Sequence, residues 1–262
     1  MRTDPPSPNE MRAQLTELLQ AHEALAERLR QGQAAFQRIA RSVWRVQEEE
    51  RSRFARELHD GVGHNLAAML HLISEALASL PDDERNRHAR DELARAHAIG
   101  DSTLQDTRAL SRMLRPQILD DLGLEPALRW LARSFSETHG IDTQLDYHAP
   151  PAGIDADRST LVFRLVQEAL ANTARHASAR RVAIAFDGRG EQASLRVRDD
   201  GSGCDIEAAL ARGRQGASSG LGGMRDRVRL FGGSLQFQST PGAGFGLSVH
   251  FPLSDASPGA SP

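Results

Sequence analysis

The chain has 262 residues, a formal charge of −3 and one cysteine, Cys204; the length allows one large domain or two small ones, and the charge gives no reason to expect a nucleic-acid partner. A single cysteine excludes an intrachain disulfide and an all-cysteine metal site, and nine Phe, two Trp and one Tyr leave the core to Leu, Val, Ile and Ala, which suits helical packing. No run of eighteen apolar residues occurs and residues 1–14 lack the apolar centre of a signal peptide, so a cytoplasmic protein without membrane insertion is expected.

Pro5, Pro6 and Pro8 mark residues 1–9 as a loose, disordered tail. From Leu15 a heptad seam reads Leu15, Leu18, His22, Leu25, Leu29, Gly32, Phe36, Ile39, Val43 and Val46, eight of the ten apolar. That supports a coiled coil over 10–47, with a helix packed in cis on the rest of the chain as the alternative. The next stretch, 48–80, carries Leu58, Val62, Leu66, Met69, Ile73, Leu77 and Leu80 at three- and four-residue steps, one side of an α-helix about eight turns long. His59 lies beside this stripe. Asp60 follows it, and His64 shares a face with Asp60 four positions on. An adjacent carboxylate can fix an imidazole tautomer and strengthen its nucleophilic nitrogen, so His59 is a candidate phosphate acceptor; a solvated surface pair is the bland alternative.

Pro81 and the polar run behind it turn the chain into a second helix, Arg87 to Leu114, with Leu93, Ala96, Leu104, Leu110 and Leu114, stopped by Pro116. Two antiparallel helices each keep an uncovered apolar flank. Pairing into a four-helix bundle covers it, so a homodimer is expected. Beyond Gly140 the period changes: Asp142–Ala149, Arg181–Phe186, Ala193–Asp199, Ser234–Ser239 and Phe245–Phe251 read as half-buried strands, with helices near 126–139, 156–176 and 222–231 between them. The class is therefore α+β, ending in a sheet with helices on one face. The residues after Leu253 are expected to be disordered.

On the helix at 156–176, Leu161, Leu165, Glu168 and Asn172 form one line that starts apolar and turns polar, with His176 a turn further on. Asp199-x-Gly201-x-Gly203 follows a strand, which alone is also a common hairpin turn. Gly213, Gly216, Gly220, Gly222 and Gly223 make a pliant segment running into a helix, and backbone amides at such a junction can cradle a polyphosphate. No Walker G-K-[ST] occurs.

E-R-x-R-x-A-R-E-L-H-D-x-x-G-H, from Glu50 to His64, resembles the phosphoacceptor box of two-component sensor histidine kinases of the nitrate/nitrite-sensor type. E-x-x-x-N-x-x-R-H-A, D-x-G-x-G and G-L-x-G-M-R-x-R-V resemble, in order, the N box and two glycine boxes of the histidine kinase/Hsp90-like ATPase superfamily, and the likeness spans roughly Glu48 to Leu253. It implies a coiled-coil signalling helix at 10–47, a dimerisation and phosphotransfer domain at 48–118, an α/β sandwich ATP-binding domain at 122–253, and tails at 1–9 and 254–262. It further implies ATP and Mg²⁺ as cofactors, with Asn172 a metal ligand and Glu168 beside the metal. Arg175 and His176 would approach the phosphates, Asp199 the adenine, and Gly201, Gly203, Gly220, Leu221, Gly222, Gly223 and Met224 the nucleotide. His59 would carry the phosphoryl group, Asp60 would handle its proton, and His64 would hold a water for dephosphorylating the partner. That partner would be a response regulator, usually one with a helix-turn-helix output, and an upstream sensor protein is compatible. The family commonly has threonine where this chain has Phe245, so a hydroxyl contact is lost there and phosphate binding by the 242–244 turn is in question. The rival readings are a related ATPase or serine-directed kinase, and a catalytically weak nucleotide-binding dimeric scaffold or regulator phosphatase.

Overall fold

In the computed structural model, which describes residues 8–114, 117–150, 153–214 and 220–254, residues 1–47 group as one unit and 48–262 as another. Gly216 and most of both terminal tails lie outside the described residues. Helix α1 runs Pro8–Arg56. Of its heptad seam, Leu18, Leu25, Leu29, Phe36, Ile39, Val43 and Val46 are all exposed in the single chain.

The helix expected to be continuous across 48–80 changes pitch. After Arg56 it widens into a π-helical stretch, Glu57–Gly63, and then resumes as α2, His64–Ser79. The facing helix α3, Arg87–Leu114, supplies a reason: the buried Ser111 hydroxyl donates to the Ala55 carbonyl at 2.8 Å, and a side chain competing for a ladder carbonyl distorts a helix at that turn. Arg90 donates to the carbonyls of Leu77 (3.1 Å) and Leu80 (2.7 Å), closing the C-terminal end of α2. Along α3 the inward positions are Arg90, Leu93, His97, Gly100, Leu104, Thr107, Ser111 and Leu114, alternating steps of three and four as in a bundle seam. Gly100 lets the helices close up, since a Cβ there would stand 2.9 Å from Leu70 Cδ2.

After α4 (Gln117–Asp121) and α5 (Leu124–His139) comes a five-stranded sheet: β1 (Asp142–His148), β2 (Arg181–Arg189), β3 (Gln192–Asp199), β4 (Ser234–Ser239) and β5 (Phe245–Pro252). Its order is β1-β2-β3-β5-β4, with β1 and β2 parallel and the other pairs antiparallel. Alternation buries one face: Val182, Ile184 and Phe186 of β2, Leu195 and Val197 of β3, and Leu247, Val249 and Phe251 of β5. Helices α5, α6 (Ala156–Asn172) and α8 (Gly220–Leu230) cover that face with Leu128, Leu161, Leu165, Met224 and Val228. The fold is thus α+β, helical first and then a sheet with its helices on one side, as its periodicities predict.

Two departures matter for the site. Helix α7, Ile206–Arg214, was not expected from the sequence, and α8 begins at Gly220, taking three glycines into its first turn instead of starting after them. Helix α6 is anchored at its start by Asp155, which accepts the Arg158 amide at 2.8 Å and pairs with its guanidinium. Arg158 Nε donates to Pro252 O at 2.6 Å, tying α6 to the end of β5.

Candidate functional site

The last turn of α6 widens into a second π-helical stretch, Thr173–Ala177, that ends where Ser178 adopts φ 48°. Ser202 donates its amide to Ala177 O at 2.7 Å, seating the loop after β3 against this turn. Gly201 is required there, because a Cβ would run into the Ala177 carbonyl. Gly203 (φ +64°) and Gly244 (φ +79°) interlock the loop with the β4–β5 turn: a Cβ on Gly203 would collide with Thr240 O, and one on Gly244 with Asp199 O. The Gly242 amide completes the joint by donating to Ser202 O at 2.6 Å. Backbone stands against backbone, so nothing can swing aside. Gly203→Ala is therefore expected to cost roughly 2–4 kcal/mol from left-handed strain plus overpacking, read as a lower unfolding midpoint in urea.

Between these loops, α6 and α8 lies a cavity of about 440 Å³. Of the residues singled out in the sequence, Asn172, His176, Asp199, Gly203, Gly220, Leu221 and Gly222 line it, as does Phe245. Met224 is fully buried in the core, Gly201 packs on Ala177, and Arg175 is exposed; none of these three lines the cavity, nor does Gly223. Glu168 flanks the start of α8: its Oε1 stands 2.7 Å, and Asn172 Nδ2 3.9 Å, from where a Gly220 Cβ would be. Thr173, Cys204, Ala209 and Arg212 also line the cavity; the last two belong to α7, which was not foreseen.

The two neighbouring carboxylates are now distinguished. Asp199 is 5% exposed; its Oδ1 accepts the amides of Gly201 (2.9 Å) and Phe245 (3.2 Å), and its Oδ2 accepts from the Thr173 hydroxyl (3.2 Å). Asp200 points away to solvent, where the amides of Arg181 and Arg180 hold its carboxyl below the usual carboxylate range. Beside the α8 start, Arg227 donates to Gly223 O at 3.1 Å; burial lowers its guanidinium from the ordinary value, and Glu168 opposes that.

His59, Asp60 and His64, all exposed, come together with Gly63, Ala67 and Arg108 in an open cleft of about 320 Å³ on the stem. Arg108 belongs to α3, and no spacing rule connects it with a histidine 49 positions earlier.

At the base of the stem, Arg164 of α6 (3% exposed) meets Glu48 of α1 (6% exposed). Its Nε and Nη2 donate to Glu48 Oε2 at 2.9 and 2.6 Å, Nη2 also to Leu114 O at 2.6 Å, and Nη1 to Gln167 Oε1 at 2.7 Å.

Residues 50–119 match the family described as histidine kinase, and residues 157–255 the histidine kinase-, DNA gyrase B- and HSP90-like ATPase family. The chain belongs to the two-component sensor histidine kinase family. Among its relatives, a sensor histidine kinase, MctS of Rhizobium johnstonii, is 34% identical over 228 residues, covering 86% of this chain and 48% of that protein. The signal transduction histidine-protein kinase/phosphatase DegS of Brevibacillus brevis is 32% identical over 211 residues, covering 80% and 53%. The chain thus spans about half the length of the curated relatives it matches. Among solved structures, the histidine kinase domain of a blue-light activated histidine kinase from Erythrobacter litoralis aligns at 20% identity and a TM-score of 0.42, over 72% of this chain and 94% of that one.

Proposed function

We propose that this member of the histidine kinase family transfers the γ-phosphoryl group of ATP to His59 and passes it to an aspartate of a response regulator. The observation that carries this reading is the presence in one chain of an open imidazole–carboxylate cleft and a separate cavity closed by a buried carboxylate. One ring nitrogen of His59 attacks phosphorus as the bond to the β,γ-bridging oxygen breaks. The proton on the other ring nitrogen leaves to Asp60, and Arg108 faces the incoming phosphoryl oxygens. In the second transfer the P–N bond breaks as a P–O bond forms on the regulator.

The nucleotide fits the cavity on chemical grounds. Asp199 offers an acceptor at one end, and the first turn of α8 offers backbone amides at the other. Asn172 and Glu168 would hold Mg²⁺, which when bound supplies charge neutralisation for phosphoryl transfer. Among the described residues no group of three or more His, Cys, Asp or Glu could cage a metal, in keeping with an ion held by one or two side chains plus phosphate and water. Incubation with ATP and Mg²⁺ tests the reading: an acid-labile phosphoprotein is expected, and a chain that binds ATP yet never labels would be the scaffold instead.

In this reading residues 48–118 dimerise and carry the phosphoryl group, 122–253 bind ATP, and 10–47 form a coiled coil through the exposed seam of α1. Exposed Val62, Met69, Leu72, Ile99 and Leu110 support pairing of the stem with a second copy. Among the described residues no helix is long and apolar enough to cross a membrane, which supports a cytoplasmic placement. The kinase/phosphatase name of the Brevibacillus relative favours a second activity. His64, in the same cleft as Asp60, would hold a water in line with the regulator's phosphoryl group. His64→Ala is expected to slow regulator dephosphorylation about ten-fold or more while autophosphorylation survives, followed by decay of phosphorylated regulator.

A further inference from the structure

Asp199 is pinned unevenly. Oδ1 holds two backbone amides, whereas among the described residues Oδ2 accepts from the Thr173 hydroxyl alone. The carboxylate is one rigid plane, so the two amides on Oδ1 and the Thr173 hydroxyl on Oδ2 together set its rotation about the terminal torsion. Thr173 Oγ1 has one proton and two acceptors in reach, Ala169 O at 3.1 Å and Asp199 Oδ2 at 3.2 Å. The charged oxygen is the stronger acceptor of the two. With Thr173 donating to it, Oδ2 keeps one lone pair, and both residues line the cavity.

Phe245 gives its amide to Oδ1, while its ring packs 5.7 Å from that of Phe237 and brings no hydroxyl. The hydroxyl on this carboxylate comes from the widened end of α6: Thr173, 4% exposed, is the first residue of that π-helical stretch.

We infer that Thr173 is a specificity-determining positioning residue, which orients Asp199 so that its remaining lone pair accepts the exocyclic amino group of adenine. The inference rests on the reading of the cavity as an ATP site, and deepens it. A 6-amino purine brings the donor that Oδ2 lacks; a purine without that group leaves the oxygen under-satisfied.

The test uses the full chain and two probes, ATP and purine riboside 5′-triphosphate, which lacks the 6-amino group. Wild type is expected to bind ATP at least about ten-fold more tightly than the deamino analogue. Thr173→Val, equal in shape but without the hydroxyl, should weaken ATP roughly ten-fold and the analogue less than two-fold, collapsing the preference; Thr173→Ser should retain it. A loss shared equally by both probes, or no loss, overturns the inference, because a merely structural role cannot tell one probe from the other. If Thr173→Val does not fold, Thr173→Ala serves with the same two-probe readout. A wild type that binds both probes alike, or neither, instead refutes the assignment of Asp199 and the cavity, independently of Thr173.

Discussion

His59→Gln is expected to abolish acid-labile labelling by ATP and Mg²⁺ while leaving nucleotide affinity unchanged. In the proposed reaction the imidazole contributes the attacking nitrogen itself, so its loss would remove the reaction instead of slowing it, and an amide of similar size has no nucleophile to offer. Nucleotide affinity should persist because the cavity is built from α6, α8 and two interlocked loops, and His59 lines only the stem cleft. His64 is the other imidazole in that cleft, which makes it the control. Label retained in His59→Gln and lost in His64→Ala would move the acceptor one turn along the helix and refute the assignment.

Arg164→Gln is expected to have the largest effect on stability, about 3–5 kcal/mol, since it leaves the buried Glu48 carboxylate with only the looser Arg51 contact at 3.8 Å. The guanidinium donates to acceptors on three segments: the stem helix, the end of α3 and α6 itself. Glutamine cannot span them. Because the pair joins segments rather than filling a core, part of the cost should appear as local opening, with faster hydrogen exchange near Glu48 and Leu114. Denaturant unfolding of Arg164→Gln, Glu48→Gln and the double variant checks the point. A coupling energy well below about 1 kcal/mol would mean that the pair is solvated and unimportant.

The strands were legible because alternation is a strong signal wherever one sheet face is buried: β4 matches its expected limits, and the other four differ by a few residues at most. Helix α3 was legible in extent but not in orientation. Its inner seam mixes Leu93, Leu104 and Leu114, which the apolar pattern finds, with Arg90, His97, Gly100, Thr107 and Ser111, which it cannot, and the pattern also takes in the exposed Leu110. Leu110 and Ile99 instead face solvent in the single chain. Motif spacing points to Asn172, Asp199 and Gly220 among the residues that line the cavity, but not to pairs that the fold joins from distant positions. Thr173 meets Asp199 across 26 residues, and Arg164 meets Glu48 across 116. The two changes of helical pitch left no sequence signature, because they depend on which carbonyls neighbouring elements engage.

The widened stretch from Glu57 to Gly63 has a mechanical consequence. A π-helical turn spends one more residue than an α-helical turn to complete its circle, so its presence sets the angular phase between the residues before it and those after. One residue of α-helix is worth about 100° of rotation. If that stretch relaxed to ordinary pitch with α2 held fixed, Glu48 would turn by about 100° around the helix axis and leave Arg164, while His64 on α2 would stay where it is. The stem therefore contains an angular gauge, with His59, the proposed phosphate acceptor, lying within the segment whose pitch defines it.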